Sequence, residues 1–188
     1  ILTVQRPFSR TDQTTDNVSK MKRGAILIGS LSAQSNPEQV KIYAEQGLTS
    51  FAMELLPRIS RAQSMDVLSS QSNLAGYKAV LDAANEYHSA FPMMMTAAGT
   101  IPPARILILG AGVSGLQAIA TARRLGAVVS AYDVRPAVKE QVQSLGAIFL
   151  EVDSDNSHNA ETVGGYAKEM TDEYKSRQAE GLRGALIK

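Results

Sequence analysis

The chain has 188 residues, 44% apolar and 20% charged, a balance typical of globular domains and far from that of disordered chains. Nineteen Lys and Arg against eighteen Asp and Glu leave a formal charge of +1, and the basic pairs Lys22-Arg23 and Arg123-Arg124 lack aromatic neighbours, which argues against a nucleic-acid partner. No cysteine is present, the two histidines His88 and His158 are too distant in sequence to start a zinc site, and no apolar run approaches the ~18–20 residues that cross a bilayer.

In chain order, residues 1–4 read as a strand, and 11–22 as polar loop running into a short helix. Residues 24–29 form an apolar run between glycines, a buried strand by length and flanks. Asn36-Pro37 supplies an N-cap and a first-turn proline for a helix over 38–46, which Gly47 ends. Residues 49–54 supply the next strand, and this strand–helix–strand alternation predicts a parallel sheet. Leu74, Tyr77, Val80, Leu81, Ala84, Tyr87 and Phe91 recur at three and four, predicting a long helix over 73–91 with one buried stripe. Pro92 ends it. Met93-Met94-Met95 is expected to pack in the core or between domains, and residues 99–103, with Pro102-Pro103, form a stiff connector. A domain boundary is placed near Asn73, giving a first lobe over 1–72 and a second over 73–188. Strand 105–109, helix 112–125, strand 128–132, helix 136–145 and strand 148–152 then make a βαβαβ unit. The fold class is therefore α/β, a Rossmann-like doubly wound parallel sheet in two lobes. Residues 153–165 read as a loop, followed by a charged helix from 166. The ends fall in mid-pattern, and the sequence is expected to be a fragment lacking the later strands of its second lobe.

Gly110-Ala111-Gly112-Val113-Ser114-Gly115 matches G-x-G-x-x-G after a strand and at a helix start, where a dinucleotide pyrophosphate needs it. The first glycine permits the turn, the second lets the pyrophosphate approach the backbone, and the third lets helix and strand pack closely. Asp133, eighteen residues past Gly115 at a strand end, is placed to accept hydrogen bonds from the adenosine ribose, which favours NAD over a 2′-phosphorylated coenzyme, although Arg135 could soften that repulsion. The polar segment 58–69 admits two readings. It is a solvated loop, or a binding segment in which Gln63 pairs with the nicotinamide carboxamide, Arg58 binds a carbonyl or phosphate, and Asp66 orients Arg58 or binds a ribose hydroxyl.

Four stretches in order, residues 57–66 (PRISRAQSMD), 97–104 (AAGTIPPA), 134–142 (VRPAVKEQV) and 164–170 (GGYAKEM), resemble the NAD(H)-binding component of proton-translocating nicotinamide nucleotide transhydrogenases, within the wider alanine dehydrogenase and transhydrogenase family. The resemblance runs over nearly the whole chain from about Gly24. It implies direct hydride transfer from NADH here to NADP⁺ on a separate NADP(H)-binding component, coupled to proton translocation through a membrane-spanning component. It further implies a homodimer, and a soluble domain on the cytoplasmic side of a bacterial inner membrane or the matrix side of an organellar one. Carried onto matching positions, Arg58, Gln63, Asp66 and Ser69 surround the nicotinamide, while Gly110, Gly112, Val113, Gly115, Asp133, Val134 and Arg135 hold the rest of NAD(H). Gly165 and Gln178 match further NAD contacts, and Tyr166 matches the tyrosine of a loop that closes over the nucleotide. Catalysis of this kind is positioning, since the two nicotinamide C4 atoms must come within roughly 3–3.5 Å with aligned rings. No metal site is expected: the Asp153/Asp155 spacing begins like an EF-hand, but His158 takes the glycine position and Gly164 the bidentate glutamate position. Two other readings stay open, an alanine dehydrogenase-like oxidoreductase and a nucleotide-sensing module without turnover.

Overall fold

The computed structural model describes residues 1–7, 17–57, 59–151 and 172–186. The chain divides into two compact units, Ile1–Leu68 and Ser69–Lys188. Arg58, Val152, the loop 153–165 with Gly165, and Tyr166 lie outside the described residues.

The first unit is a three-stranded parallel sheet of β1 (Leu2–Gln5), β2 (Ile26–Ser30) and β3 (Thr49–Ala52) in that order, with helix α1 (Pro37–Glu45) crossing between β2 and β3. The register sets Ile28 beside both Leu2 and Phe51. Side chains alternate along a strand, so Leu27 turns to the opposite face and is fully buried with Val18, Leu31 and Tyr43. Burial pushes the Tyr43 phenol above its ordinary range, partly offset by Arg6, and its hydroxyl donates to the Pro7 carbonyl at 2.9 Å. Asn36 does precede Pro37, yet its amide donates to the Ser32 carbonyl at 2.9 Å instead of capping the helix. Gly47 ends α1 with φ +70°, a conformation that costs little without a Cβ. β3 stops at Ala52, short of the expected residue 54, because Met53–Leu55 coils into a 3₁₀ turn.

In the second unit, β6 (Arg105–Leu109), helix α3 (Val113–Arg124), β7 (Val128–Tyr132), helix α4 (Lys139–Ser144) and β8 (Ile148–Phe149) follow helix α2 (Val67–Glu86) and the hairpin β4 (Met94–Thr96)–β5 (Gly99–Ile101). β6, β7 and β8 pair in parallel in that order, with Leu109 opposite Tyr132 and Ala131 opposite Phe149. The predicted βαβαβ half of a doubly wound sheet is present. Its core joins Val129 and Ala131 of β7 to Ile119 and Ala122 of α3, Val142 of α4 and Val80 of α2. A last helix, α5 (Asp172–Leu186), carries the charged C-terminal stretch.

Three expectations need correction. The long helix runs from Val67 to Glu86, not from 73 to 91. Its first turns, Ser69-Ser70-Gln71-Ser72, are polar and leave no apolar period to read, whereas Phe91 lies beyond the helix and is buried on its own account, its ring edge-on to Tyr87 at 5.9 Å. The buried line along α2 is Gly76 and Val80 with Ala84 partly covered, while Leu74, Tyr77 and Tyr87 are about half exposed. Finally, Met93, Met94 and Met95 are exposed rather than in a core, because Met94–Thr96 pairs with Gly99–Ile101 as an antiparallel hairpin, and the expected connector contributes β5.

Candidate nucleotide-binding site

The glycine-rich turn joins the C-terminal end of β6 to the first residue of α3. Gly110 takes φ +92°, and its amide donates to the Tyr132 carbonyl at 2.8 Å, tying the ends of β6 and β7 together. A Cβ on Gly115 would lie 1.8 Å from the Gly110 carbonyl oxygen, so the third glycine is required for the turn to close against the helix. Gly112 is exposed and caps α3 in an extended conformation; the nearest heavy atom to a Cβ placed there is Arg135 Nη2 at 4.0 Å. An open second glycine beside the first-turn amides of a helix fits the pyrophosphate of a dinucleotide, since those amides have no intrahelical acceptor. Val113, 41% exposed, is the first residue of α3 and flanks that opening.

Asp133 follows β7 and turns back onto the glycine-rich turn. Its Oδ2 accepts the Ala111 amide at 2.7 Å and Arg135 Nη2 at 2.9 Å; its Oδ1 accepts the Arg135 amide and Nε, each at 2.9 Å. The two side chains are only 6% and 14% exposed. Burial pushes the Asp133 carboxyl up, but the Arg135 fork and the two backbone amides outweigh it and hold the group below the ordinary carboxylate range. Val134 between them is half-buried. The structure thus brings Gly110, Gly112, Val113, Gly115, Asp133, Val134 and Arg135 to the C-terminal ends of two neighbouring parallel strands, where α/β sheets bind ligands.

Gln63 and Asp66 belong to the first unit. The segment 58–69 is not a featureless loop where it is described: Ser60–Met65 forms a 3₁₀ helix around buried Ala62, with the Ala62 amide on the Ile59 carbonyl at 2.9 Å and the Asp66 amide on the Gln63 carbonyl at 3.2 Å. Gln63 is exposed on this turn and Asp66, half-buried, immediately precedes α2. Ser69, half-buried on the first turn of α2, opens the second unit, and Gln178 is half-buried on α5.

Sequence reasoning missed two residues. Gly76 lets α2 touch the glycine-rich turn: a Cβ there would lie 2.0 Å from the Ser114 carbonyl oxygen. An isolated glycine within a helical pattern was its available signal. Glu54 accepts the Leu31 and Ala33 amides at 3.0 Å each, around Ser32 in a left-handed conformation at φ 51°. Nothing in the local sequence pairs residues 54 and 31–33. Among the described residues no group of three His, Asp or Glu could hold a metal, and no helix is long and apolar enough to cross a membrane.

A parallel sheet, a glycine-rich turn into a helix and an acidic residue at the next strand end define a Rossmann-like dinucleotide-binding α/β protein. The sequence profile "Alanine dehydrogenase/PNT, N-terminal domain" matches residues 1–75, and "Alanine dehydrogenase/PNT, C-terminal domain" matches residues 79–173. The chain belongs to the alanine dehydrogenase/PNT family. It is 59% identical over 185 residues to an NAD(P) transhydrogenase subunit alpha of Rhodospirillum rubrum, covering 98% of this chain and 48% of that protein. The crystal structure of transhydrogenase from Sinorhizobium meliloti superposes with a TM-score of 0.79 at 53% identity, over 98% of this chain and 47% of the other. An L-alanine dehydrogenase shares the fold at 21% identity, with a TM-score of 0.59 over 79% of this chain and 41% of the other. The chain spans about half the length of these relatives.

Proposed function

We propose that this chain is the NAD(H)-binding part of a proton-translocating transhydrogenase, passing hydride directly from NADH to NADP⁺ held by a partner component. Transfer is coupled to proton movement through a membrane-spanning component, with this part a homodimer peripheral to the membrane, on the cytoplasmic or matrix side. The observation that supports it most is the cradle at Gly110–Gly115 pinned by Asp133, in a chain 59% identical to a transhydrogenase alpha subunit. Bound NADH supplies the hydride. Gly112 and the first turn of α3 hold the pyrophosphate, and Val113, Asp133, Val134 and Arg135 hold the adenosine end. Gln63 fixes the rotation of the nicotinamide ring through its carboxamide, with Arg58, Asp66 and Ser69 as polar neighbours. Gly165 and Gln178 add contacts, and Tyr166 covers the nucleotide. None of these residues takes a proton from the substrate; their contribution is orientation.

The full-length protein should transfer hydride from NADH to an NADP⁺ analogue when its partner component is supplied. Gln63→Ala should slow that transfer on the order of 100-fold while changing NADH affinity only a few-fold; a defect confined to affinity would remove ring orientation as its role. Because the matched family also contains alanine dehydrogenases, pyruvate and ammonia with NADH form a second arm, and alanine formation there would overturn the proposal.

A further inference from the structure

We propose that Arg135 sets coenzyme choice in this site by competing with the adenosine ribose for the Asp133 carboxylate. The inference rests on the NAD(H)-binding reading above. A carboxylate offers about four lone-pair directions, and four protein donors already occupy them: the Ala111 amide, the Arg135 amide, Arg135 Nε and Arg135 Nη2. A ribose hydroxyl therefore reaches Asp133 only by displacing one of these four.

The donors differ in how readily they yield. The Ala111 amide belongs to the glycine-rich turn, with Ala111 itself 1% exposed, so moving it would open the cradle. The Arg135 amide is fixed by the path of the chain two residues after Asp133. The guanidinium fork sits at the end of a long side chain with rotamer freedom and is the donor that can leave. It also lies near the opening at Gly112, 4.0 Å from where a Cβ would stand, so a displaced fork finds the coenzyme's phosphate oxygens within a short swing.

The exchange separates the two coenzymes. A free 2′-hydroxyl can donate to Asp133 in place of the fork. A 2′-phosphate has no proton to donate at neutral pH and brings negative charge against the carboxylate, an encounter that only the Arg135 cation relieves. Arg135 thus weakens NAD(H) binding by competition and eases NADP(H) binding by compensation, and both effects narrow the preference for NAD(H).

The test titrates NADH and NADPH against the full-length protein and its variants by nucleotide fluorescence, and reads the ratio of the two affinities. Arg135→Met, which keeps the aliphatic stem, should widen the NADH preference by about tenfold or more. Arg135→Lys, which keeps the charge but not the fork, should widen it less, and Asp133→Asn should shrink it. An unchanged or narrower ratio in Arg135→Met, or in Arg135→Lys should Met not fold, overturns the role of Arg135 while NADH binding by the unaltered protein leaves the underlying reading intact. Failure of the unaltered protein to bind NADH removes both.

Discussion

The two units use the same device at their strand ends and put it to different ends. In the first, the turn after β2 offers the amides of Leu31 and Ala33, and the carboxylate of Glu54, arriving just past β3, accepts both at 3.0 Å. In the second, the turn after β6 offers the Ala111 amide, and the carboxylate of Asp133, arriving just past β7, accepts it at 2.7 Å. Backbone amides gathered in this way attract anions. In the first unit the protein's own glutamate meets them, and Ser32, not glycine, takes the left-handed position. In the second, the aspartate takes an amide at the side of the turn, while Gly112 and the start of α3 stay open. An intramolecular carboxylate that consumes the amides makes a structural lock, and one that stands beside them makes a binding site.

That contrast can be broken most sharply at the glycines. Gly115→Ala would drive a Cβ into the Gly110 carbonyl at 1.8 Å. With overpacking at the upper end, about 3 kcal/mol, NADH affinity should fall on the order of 100-fold in a fluorescence titration. Gly76→Ala meets the Ser114 carbonyl at 2.0 Å from the α2 side, and should lower the melting free energy by about 1–3 kcal/mol with a smaller loss of NADH affinity. If NADH binding survived both unchanged, the second turn would be no more a ligand site than the first.

Glu54→Gln sharpens the other half of the contrast. Removing the charge and one acceptor from two amides should cost about 1–3 kcal/mol by denaturant unfolding, with NADH affinity unchanged. A matching loss of affinity would mean that the lock serves the ligand after all. The same variant should alter the acid limb of stability. Burial pushes the Glu54 carboxyl up, but the amides of Ala33, Leu31 and Ser32 outweigh it and hold the group below its ordinary value, as the fork and amides do for Asp133. The unfolded chain therefore takes up protons first. The stability these carboxylates add is complete above the unfolded values near ~4, and is lost as pH falls through them to the lower folded values. Melting temperature against pH should fall less steeply below about pH 4 in Glu54→Gln. The smallest effect is expected from Ser32→Gly, which relieves a left-handed non-glycine residue and should stabilise by about 0.5–1 kcal/mol, net of the added freedom of the unfolded chain.

Much of this molecule is written locally. The glycines of 110–115 carry their own conformational requirement, and the parallel strands announce themselves by short apolar runs between turn residues, so both are readable from neighbours in sequence. Asp133 and Arg135 were likewise visible as residue types at a strand end. Their mutual grip was not, because it depends on the direction in which each side chain turns once β6 and β7 pair. The exposed methionines show the reverse failure: apolar character argues for burial, yet hairpin pairing of Met94–Thr96 with Gly99–Ile101 satisfies the backbone and leaves the side chains outside. Glu54 with Leu31 and Ala33, and Gly76 with Ser114, are meetings between segments more than twenty residues apart. Periodicity and spacing report what a residue prefers along its own element, whereas such meetings exist only after elements pack, so the cradle could be read from the chain and the contacts that brace it could not.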